Sequence, residues 1–340
     1  MKKPEHLMKE VRTQDAVGLR LGHDLTRIVP GEFKGQAFRK GHVIEEKDIP
    51  LLLDIGKEHI YILDIPEGWV HEEDAAVRMA NVAAGEHLEL TEPREGKVTM
   101  KSTILGLAKV DETFVNLAND IESVVFSTVL NNTVVRPGDA VAATRVVPLL
   151  VEEATVQRFE TVARQHRSRT NGAPIVGVKP FRRAVVGLVT TGSEVFTGRI
   201  EDKFGPAVRA KLDAYGSEVA EQRFTPDDTD SIVEHIRYFQ SLRVDMILVT
   251  GGMSVDPDDR TPGAIKKAGA SIVSYGTPML PGSMLLMGYL PEGTPIMGLP
   301  GAVMHEPYTS FDALLPRVLA GERIERADIV AMGYGGLLKS

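Results

Sequence analysis

Two separate stretches of the chain share one order of residues, and this order limits the folds open to it. Residues 184–189 and 246–249 are short apolar runs, and they lead directly into TTGSE and TGGMS respectively. A continuous apolar run is typical of a strand that is buried on both faces of a parallel sheet. In open α/β sheets, ligands bind beyond the carboxyl ends of such strands. The two stretches therefore predict a ligand crevice at one edge of a parallel sheet.

The chain around these stretches alternates between strand and helix patterns. Because such alternation builds βαβ units, we expect a mainly parallel sheet with right-handed crossovers in an α/β domain over 181–322, followed by a tail over 323–340. The predicted elements are strands at 184–189, 218–224, 246–249 and 270–274, helices at 205–215, 230–243 and 261–268, a hairpin at 283–299 and a last helix at 303–319.

The first 180 residues carry shorter and more mixed patterns. We predict a small α+β unit over 1–75 and a β-rich domain with a linker over 76–180. The linker is placed at 168–179, where glycine and proline interrupt the pattern. Within this region the predicted strands lie at 97–104, 109–115, 124–130 and 141–150, and the predicted helices lie at 71–83 and 151–167.

Composition excludes several classes of function. The 340 residues have a formal net charge of −8, which argues against a general nucleic-acid or anionic-membrane surface. The chain has no cysteine, so disulfides, thiolate catalysis and cysteine-ligated metals are excluded. No stretch approaches the roughly 20 apolar residues of a membrane span, and the first residues lack the apolar segment of a secretory signal. We therefore expect a cytoplasmic protein.

The first glycine turn supplies candidate residues for phosphate binding. Gly192 lets the chain reverse, and Thr191 and Ser193 add hydroxyl groups beside exposed backbone amides. Such an arrangement favours an anion. The alternative is an ordinary turn from a strand into a loop.

The second glycine turn adds a group of acids. The pair Gly251 and Gly252 allows the backbone to approach a ligand closely, because neither residue has a Cβ. Asp256, Asp258 and Asp259 follow, and carboxylates of this kind can hold Mg²⁺ together with substrate phosphates. The alternative is that these acids cap the next helix and face water.

Taken in order, five motifs resemble the molybdopterin-binding domain of molybdenum cofactor biosynthesis, which includes the molybdopterin molybdotransferases and adenylyltransferases. The motifs are TTGSE, PDD, TGGMSVDPDDRTP, PGSM and LPGAVMHEP. The resemblance is strongest over 183–320 and weaker over 11–63. It implies a Rossmann-like three-layer domain that forms homo-oligomers, with molybdopterin or its adenylylated form (molybdopterin-AMP) as ligand and Mg²⁺ as cofactor.

The resemblance also implies roles for individual residues. Glu194, Asp227 and Asp259 are the implied catalytic residues, and Asp256 or Asp259 would hold Mg²⁺ on the pterin phosphate. The implied ligand-binding residues are Thr191, Gly192, Ser193, Gly251, Gly252, Ser254, Pro281, Gly282, Pro300 and Gly301.

This sequence departs from the family pattern in ways that bear on its function. Ser193 replaces a usual aspartate, Ala302-Val303 replaces Asn-Pro, and Ser283-Met284 replaces Lys-Pro. Without that lysine, the cation that would meet molybdate or phosphate is missing, so molybdopterin binding is better supported than metal insertion. Three functions stay open: a molybdotransferase-like or adenylyltransferase-like enzyme, a non-catalytic carrier or sensor that delivers finished cofactor to a molybdoenzyme, and a nucleotide pyrophosphatase on the same type of domain.

Overall fold

A computed structural model describes residues 8–29, 33–63, 65–94, 96–170, 172–254 and 260–338. The α-helices are α1 (Ile49–Asp54), α2 (Glu72–Ala83), α3 (Glu112–Asn119), α4 (Glu153–Arg169), α5 (Ser193–Phe196), α6 (Phe204–Asp213), α7 (Thr229–Ser241), α8 (Thr261–Lys267), α9 (Ser310–Leu319) and α10 (Arg326–Ala331). Short 3-10 helices lie at Thr13–Asp15, Glu46–Asp48 and Gly301–Met304. Across these ranges, no helix combines the length and the apolar character needed to cross a lipid bilayer.

The strands before residue 181 are β1 (Met8–Arg12), β2 (Leu25–Val29), β3 (Phe33–Phe38), β4 (His59–Leu63), β5 (Trp69–His71), β6 (Leu88–Leu90), β7 (Lys97–Ser102), β8 (Gly106–Val110), β9 (Val124–Thr128), β10 (Val134–Val135), β11 (Ala140–Val146), β12 (Leu150–Glu152) and β13 (Val176–Pro180). The later strands are β14 (Val185–Thr191), β15 (Glu218–Thr225), β16 (Met246–Thr250), β17 (Ser271–Tyr275), β18 (Leu286–Tyr289) and β19 (Pro295–Leu299).

Two separate hydrophobic cores organise the first half of the chain. In the first core, Leu21, Leu52 and Ile60 pack where β1 pairs with β4 and β2 pairs with β3. The second core lies between α2, α3 and α4 and two antiparallel sheets, with strand orders β6-β7-β11-β9 and β10-β8-β13. Phe114 is fully buried at its centre, and its ring meets those of two other phenylalanines edge to face.

Three predictions for this half are wrong in part. The strand predicted at 141–150 is two strands, β11 and β12, which belong to different sheets. The strand predicted at 109–115 is wrong, because β8 ends at Val110 and Asp111 starts α3 by accepting the Phe114 amide at 2.9 Å. The N-capping carboxylate outweighs the apolar pattern of the following residues. The linker predicted at 168–179 is also wrong in its second part, since β13 forms there and pairs antiparallel with β8.

The second half is built on a six-stranded sheet with the order β15-β14-β16-β19-β18-β17. The first four of these strands are parallel, so the α/β prediction is confirmed. The strand predicted at 270–274 forms as β17, but it is an edge strand antiparallel to β18 and does not extend the parallel part. In the parallel register Thr190 lies opposite Thr250, which brings the carboxyl ends of β14 and β16 side by side.

Helices cover both faces of this sheet. On one face α6 and α9 contribute buried residues such as Leu212 and Phe311, and on the other α7 and α8 contribute Phe239 and Ile265. Gly187 lies under Phe239, where a Cβ would be 2.4 Å from the ring. This position lets α7 pack directly on β14.

The last helix is shorter than predicted. A single helix over 303–319 is wrong, because the 3-10 turn Gly301–Met304 is followed by a break and α9 starts only at Ser310. Thr309 and Asp312 form a capping box there, in which the Thr309 amide donates to Asp312 at 2.8 Å. The side chains of Thr309 and Asp312 thus accept hydrogen bonds from backbone amides that a continuous helix would have used internally.

One carboxylate joins the second core to the six-stranded sheet. Glu322 Oε1 lies 2.7 Å from Lys109 Nζ and 2.9 Å from Lys179 Nζ, and Glu322 Oε2 accepts from Arg317 Nε at 2.9 Å. Burial alone would raise the pKa of Glu322, but hydrogen bonds from these three cations outweigh it and lower the pKa to about 2. The Glu322 carboxylate therefore stays ionised throughout the neutral pH range.

A buried histidine lies where β5 enters α2. The His71 side chain is 1% exposed, and its Nδ1 accepts the Glu73 amide at 3.3 Å as the helix N-cap. No described residue is a hydrogen-bond partner of its Nε2 atom. Burial, reinforced by the charge of Arg20, lowers the pKa of His71 to about 4. The folded protein therefore holds this imidazole neutral.

We expect this histidine to make stability depend on pH. Between pH 6.5 and about 4, the unfolded chain binds a proton on His71 that the folded chain excludes, so stability falls as the pH falls. At about 1.4 kcal/mol per pH unit, the loss approaches roughly 3 kcal/mol by the lower limit. Asparagine caps helices well and does not titrate. In urea unfolding between pH 7 and 4, His71→Asn should therefore lose much less stability than wild type, and parallel curves would contradict this role.

Candidate functional site

The ends of β14 and β16 are in direct contact at the carboxyl edge of the sheet. Gly251 has φ +87°, and a Cβ on it would lie 2.3 Å from the backbone oxygen of Thr191. Gly252 has φ +56°, and a Cβ there would lie 2.9 Å from Thr261 Oγ1. Both positions require a residue without a side chain. The double glycine therefore allows the second turn to pack against the first.

Buried threonines fix this contact from below. The hydroxyls of Thr190 and Thr250 are 3.2 Å apart, and Thr261 Oγ1 donates to the Gly251 carbonyl at 2.8 Å. Gln222 Nε2 donates to Thr190 Oγ1 at 2.9 Å and to Asp202 at 2.6 Å. The network satisfies polar groups that would be costly to bury alone. It links three parallel strands immediately beneath the glycine turns.

Asp202 belongs to the same network and starts α6. Its carboxylate accepts the Phe204 amide at 2.9 Å and the Gly205 amide at 3.0 Å. Asp202 is not among the predicted site residues, although an aspartate shortly before a predicted helix is a usual N-cap signal. By fixing the start of α6, Asp202 places Phe204 beside the second glycine turn.

A cavity of about 420 Å³ opens above the ends of β16 and β19. It brings together six of the predicted ligand-binding residues: Gly251, Gly252, Ser254, Gly282, Pro300 and Gly301. The other residues of its wall are Phe204, Met253, Ser283, Met284, Leu299, Ala302 and Met304. None of these lining residues carries a formal charge, so a ligand here would meet backbone dipoles, the hydroxyls of Ser254 and Ser283, and apolar side chains.

The first glycine turn lies outside this lining. Ser193 and Glu194 are exposed in the first turn of α5, and the Ser193 amide donates to Asp227 Oδ2 at 2.9 Å. The structure therefore brings two predicted residues together, but the amide that was predicted to face a phosphate already has a carboxylate partner. Thr191 is buried beneath the turn, and Pro281 is also absent from the lining.

The predicted metal ligands cannot be placed. Asp256 and Asp259, together with Asp258, lie outside the described residues, so their role stays a prediction. Elsewhere in the described ranges, no group of three or more histidine, aspartate or glutamate side chains is arranged to hold a metal ion.

Several wall residues were absent from the sequence-based prediction. Phe204 and Met304 reach the cavity from the start of α6 and from the 3-10 turn after β19. Sequence patterns show which helix or turn carries each of these side chains. They do not show which cavity the side chain faces, because this depends on the crossovers and on the chain path after β19. Met284 belongs to the PGSM motif, where it is a departure from the family pattern and not a predicted ligand-binding residue.

The contact between the two turns predicts a specific sensitivity. Gly251→Ala should lower the free energy of unfolding by about 2–4 kcal/mol, because a left-handed backbone must carry a Cβ against the Thr191 carbonyl. Gly263→Ala is the matched control, since a Cβ at this helical position of α8 meets nothing within 4 Å. Urea unfolding of both variants measures the difference. Equal stability of the two variants would contradict the tight contact.

Comparison with known proteins adds two family matches. Residues 187–320 match the family described as "Probable molybdopterin binding domain", and residues 10–64 match a domain of unknown function (DUF8806). The first match spans the strands and loops that form the cavity.

Individual proteins are similar over the same region. A molybdopterin molybdenumtransferase of Staphylococcus aureus (strain COL) is 29% identical over 131 residues, which are 36% of this chain and 31% of that protein. A CinA-like protein of Mycobacterium sp. (strain MCS) is 33% identical over 84 residues, covering 25% of this chain and 20% of the relative. The chain thus spans about a third or less of the length of these curated relatives.

A solved structure is similar as well. The molybdopterin biosynthesis enzyme MoaB from Thermus thermophilus is 27% identical, covers 41% of this chain and 98% of its own, and has a TM-score of 0.36. The family match and the sequence relatives agree with the motifs from which the resemblance was predicted. The resemblance predicted from the motifs is therefore confirmed for residues 187–320, which match the family of probable molybdopterin-binding domains.

Proposed function

We propose that this chain binds molybdopterin, or its adenylylated form, in the cavity above β16 and β19. The observation that carries the proposal is the position of Gly251 and Gly252 in the cavity wall, where the backbone itself is available to the ligand. Backbone amides in glycine turns bind phosphate without a side chain. The volume of about 420 Å³ lies in the range of small-molecule sites, roughly 300–1,000 Å³.

The apolar part of the wall suits the rest of such a ligand. Phe204, Met284 and Met304 line the cavity together with Leu299. Flat heteroaromatic rings bind to surfaces of this kind, and methionine adapts its shape to them. The pterin ring would therefore contact these side chains while its phosphate meets the glycine turn.

The proposal extends to the step that the protein carries out. Asp256 and Asp259 would hold Mg²⁺, which when bound neutralises charge on the pterin phosphate. Glu194 and Asp227 would orient the attacking group from the neighbouring turn. In this form the protein is a molybdotransferase-like or adenylyltransferase-like enzyme of cofactor maturation, with molybdate or a nucleotide as the second substrate.

A second candidate function is that of a carrier or sensor of finished cofactor. The described cavity wall has no cation, and Ser283 and Met284 stand at the loop position where a lysine would meet molybdate. A site that binds but does not insert metal would deliver its ligand to a recipient molybdoenzyme. This observation favours the carrier over the molybdotransferase.

We place this function in the cytoplasm and in a homo-oligomer. We also propose that residues 1–75, 76–180 and 181–322 are separate domains, followed by a tail at 323–340. Separate hydrophobic cores support three units, but the boundary at 75 falls inside α2, and Ile324 and Ile329 of the proposed tail are buried in the core of the six-stranded sheet. Buried clusters on both faces of the six-stranded sheet support a three-layer Rossmann-like arrangement.

Native mass spectrometry of protein purified from a molybdopterin-producing host tests the proposal. We expect a bound pterin, and we expect its retention to respond to charge at Ser283. A new charge near the phosphate should change affinity by about tenfold, so Ser283→Lys should retain more ligand and Ser283→Glu less. Val330→Glu is the control, since this exposed α10 position does not line the cavity.

The outcomes separate the candidates. Absence of any pterin would contradict the proposal, and bound ADP-ribose instead would point to a pyrophosphatase. Incubation of the complex with ATP, magnesium and molybdate distinguishes the two main candidates. A change in ligand mass that is lost in Asp259→Ala supports an enzyme, whereas an unchanged ligand supports a carrier.

A further inference from the structure

We propose that residues 333–338, called the strap, position the loop that forms one wall of the cavity. This loop, residues 276–285, is called the cavity loop and contributes Gly282, Ser283 and Met284 to the wall. The strap does not line the cavity itself. Its effect on ligand binding rests on the proposed function, whereas its effect on the loop does not.

The inner side of the cavity loop is anchored to the domain. The Gly276 amide donates to the Leu285 carbonyl at 2.9 Å, and the Thr277 amide donates to the Ser283 carbonyl at 2.8 Å. Ser310, the first residue of α9, donates from its hydroxyl to the Gly282 carbonyl at 2.5 Å. These bonds close the neck of the loop, and none of them reaches its tip at Pro278–Leu280.

The strap supplies that support. The Leu280 amide donates to the Gly336 carbonyl at 2.8 Å, and the Leu338 amide donates to the Leu280 carbonyl at 2.9 Å. Together they form a single parallel bridge between Leu280 and Leu337. The approach is close, because a Cβ on Gly336 would lie 2.3 Å from the Pro278 carbonyl oxygen.

The strap has a fixed root in α10. Ile329 of this helix is fully buried in the core of the six-stranded sheet. The guanidinium of Arg326 donates to the Ser274 hydroxyl, which in turn donates to the Gly276 carbonyl at 2.7 Å. The helix thus holds the beginning of the cavity loop, and the strap that follows it holds the tip.

Holding the loop at both sides has a consequence for binding. A loop that is ordered before the ligand arrives loses less conformational entropy on binding than one that must be ordered by the ligand. Residues of the strap are therefore positioning residues: they act on the ligand only through Gly282, Ser283 and Met284.

Two matched pairs of variants test the strap. Gly336→Ala adds a Cβ against the Pro278 carbonyl, whereas Gly333→Ala adds one at an ordinary contact distance of 3.4 Å from Pro278. Leu338→Pro removes the amide that donates to Leu280, whereas Leu338→Ala removes only the side chain.

The methyl resonance of Met284 in ¹³C-methionine-labelled protein, assigned with Met284→Leu, reports the position of the loop. Gly336→Ala and Leu338→Pro should shift or broaden it and reduce retention of copurified pterin by about tenfold, whereas the two controls change neither. Circular dichroism melting confirms that each variant is folded.

An unchanged Met284 resonance in both folded test variants would overturn the proposal. So would a displaced resonance with full retention of pterin, because the loop position would then not matter for binding. Wild-type protein without any pterin would overturn only the proposed function. In that case the Met284 resonance still decides whether the strap positions the loop.

Discussion

The close approach of Gly251 to the carbonyl of Thr191 is the constraint on which the site depends. It brings the ends of two parallel strands so near that a Cβ would fall 2.3 Å from a backbone oxygen. Beneath it the hydroxyls of Thr190 and Thr250 are paired, and Thr261 donates to the Gly251 carbonyl, so the second turn is fixed in place. The cavity then forms between this turn and the loops that carry Gly282 and Gly301.

The chemistry of this cavity differs from that of a charged phosphate site. Its described wall has backbone groups, two serine hydroxyls and apolar side chains but no cation. Outside this lining, the Asp227 carboxylate accepts the Ser193 amide at 2.9 Å. Under the proposed function, the binding energy would come from amide dipoles, the serine hydroxyls and ring contacts, and the lining residues would add little long-range attraction for an anion. Under the proposed function, the lack of a cation in this wall favours a carrier over a molybdotransferase.

Much of the six-stranded sheet could be predicted from sequence, because buried parallel strands are continuous apolar runs that end in glycine. The same logic identified Gly251 and Gly252, whose positions follow from the local turn. It could not show that Ser193 and Gly252 face different surroundings, since this depends on β16 lying next to β19. It also missed α3, because the N-cap at Asp111 decides between strand and helix where the apolar pattern fits both. The position of Phe204 depends on the path of a crossover connection. The spacing of residues in the sequence does not show where such a connection comes back to the sheet.

Hydrogen–deuterium exchange with molybdopterin released from a molybdoenzyme tests the central claim most directly. The account predicts slower exchange of amides in two segments at once, 251–254 and 282–285, because both form the walls of one cavity. Protection confined to the first turn at Ser193–Phe196, or no protection at all, would contradict it.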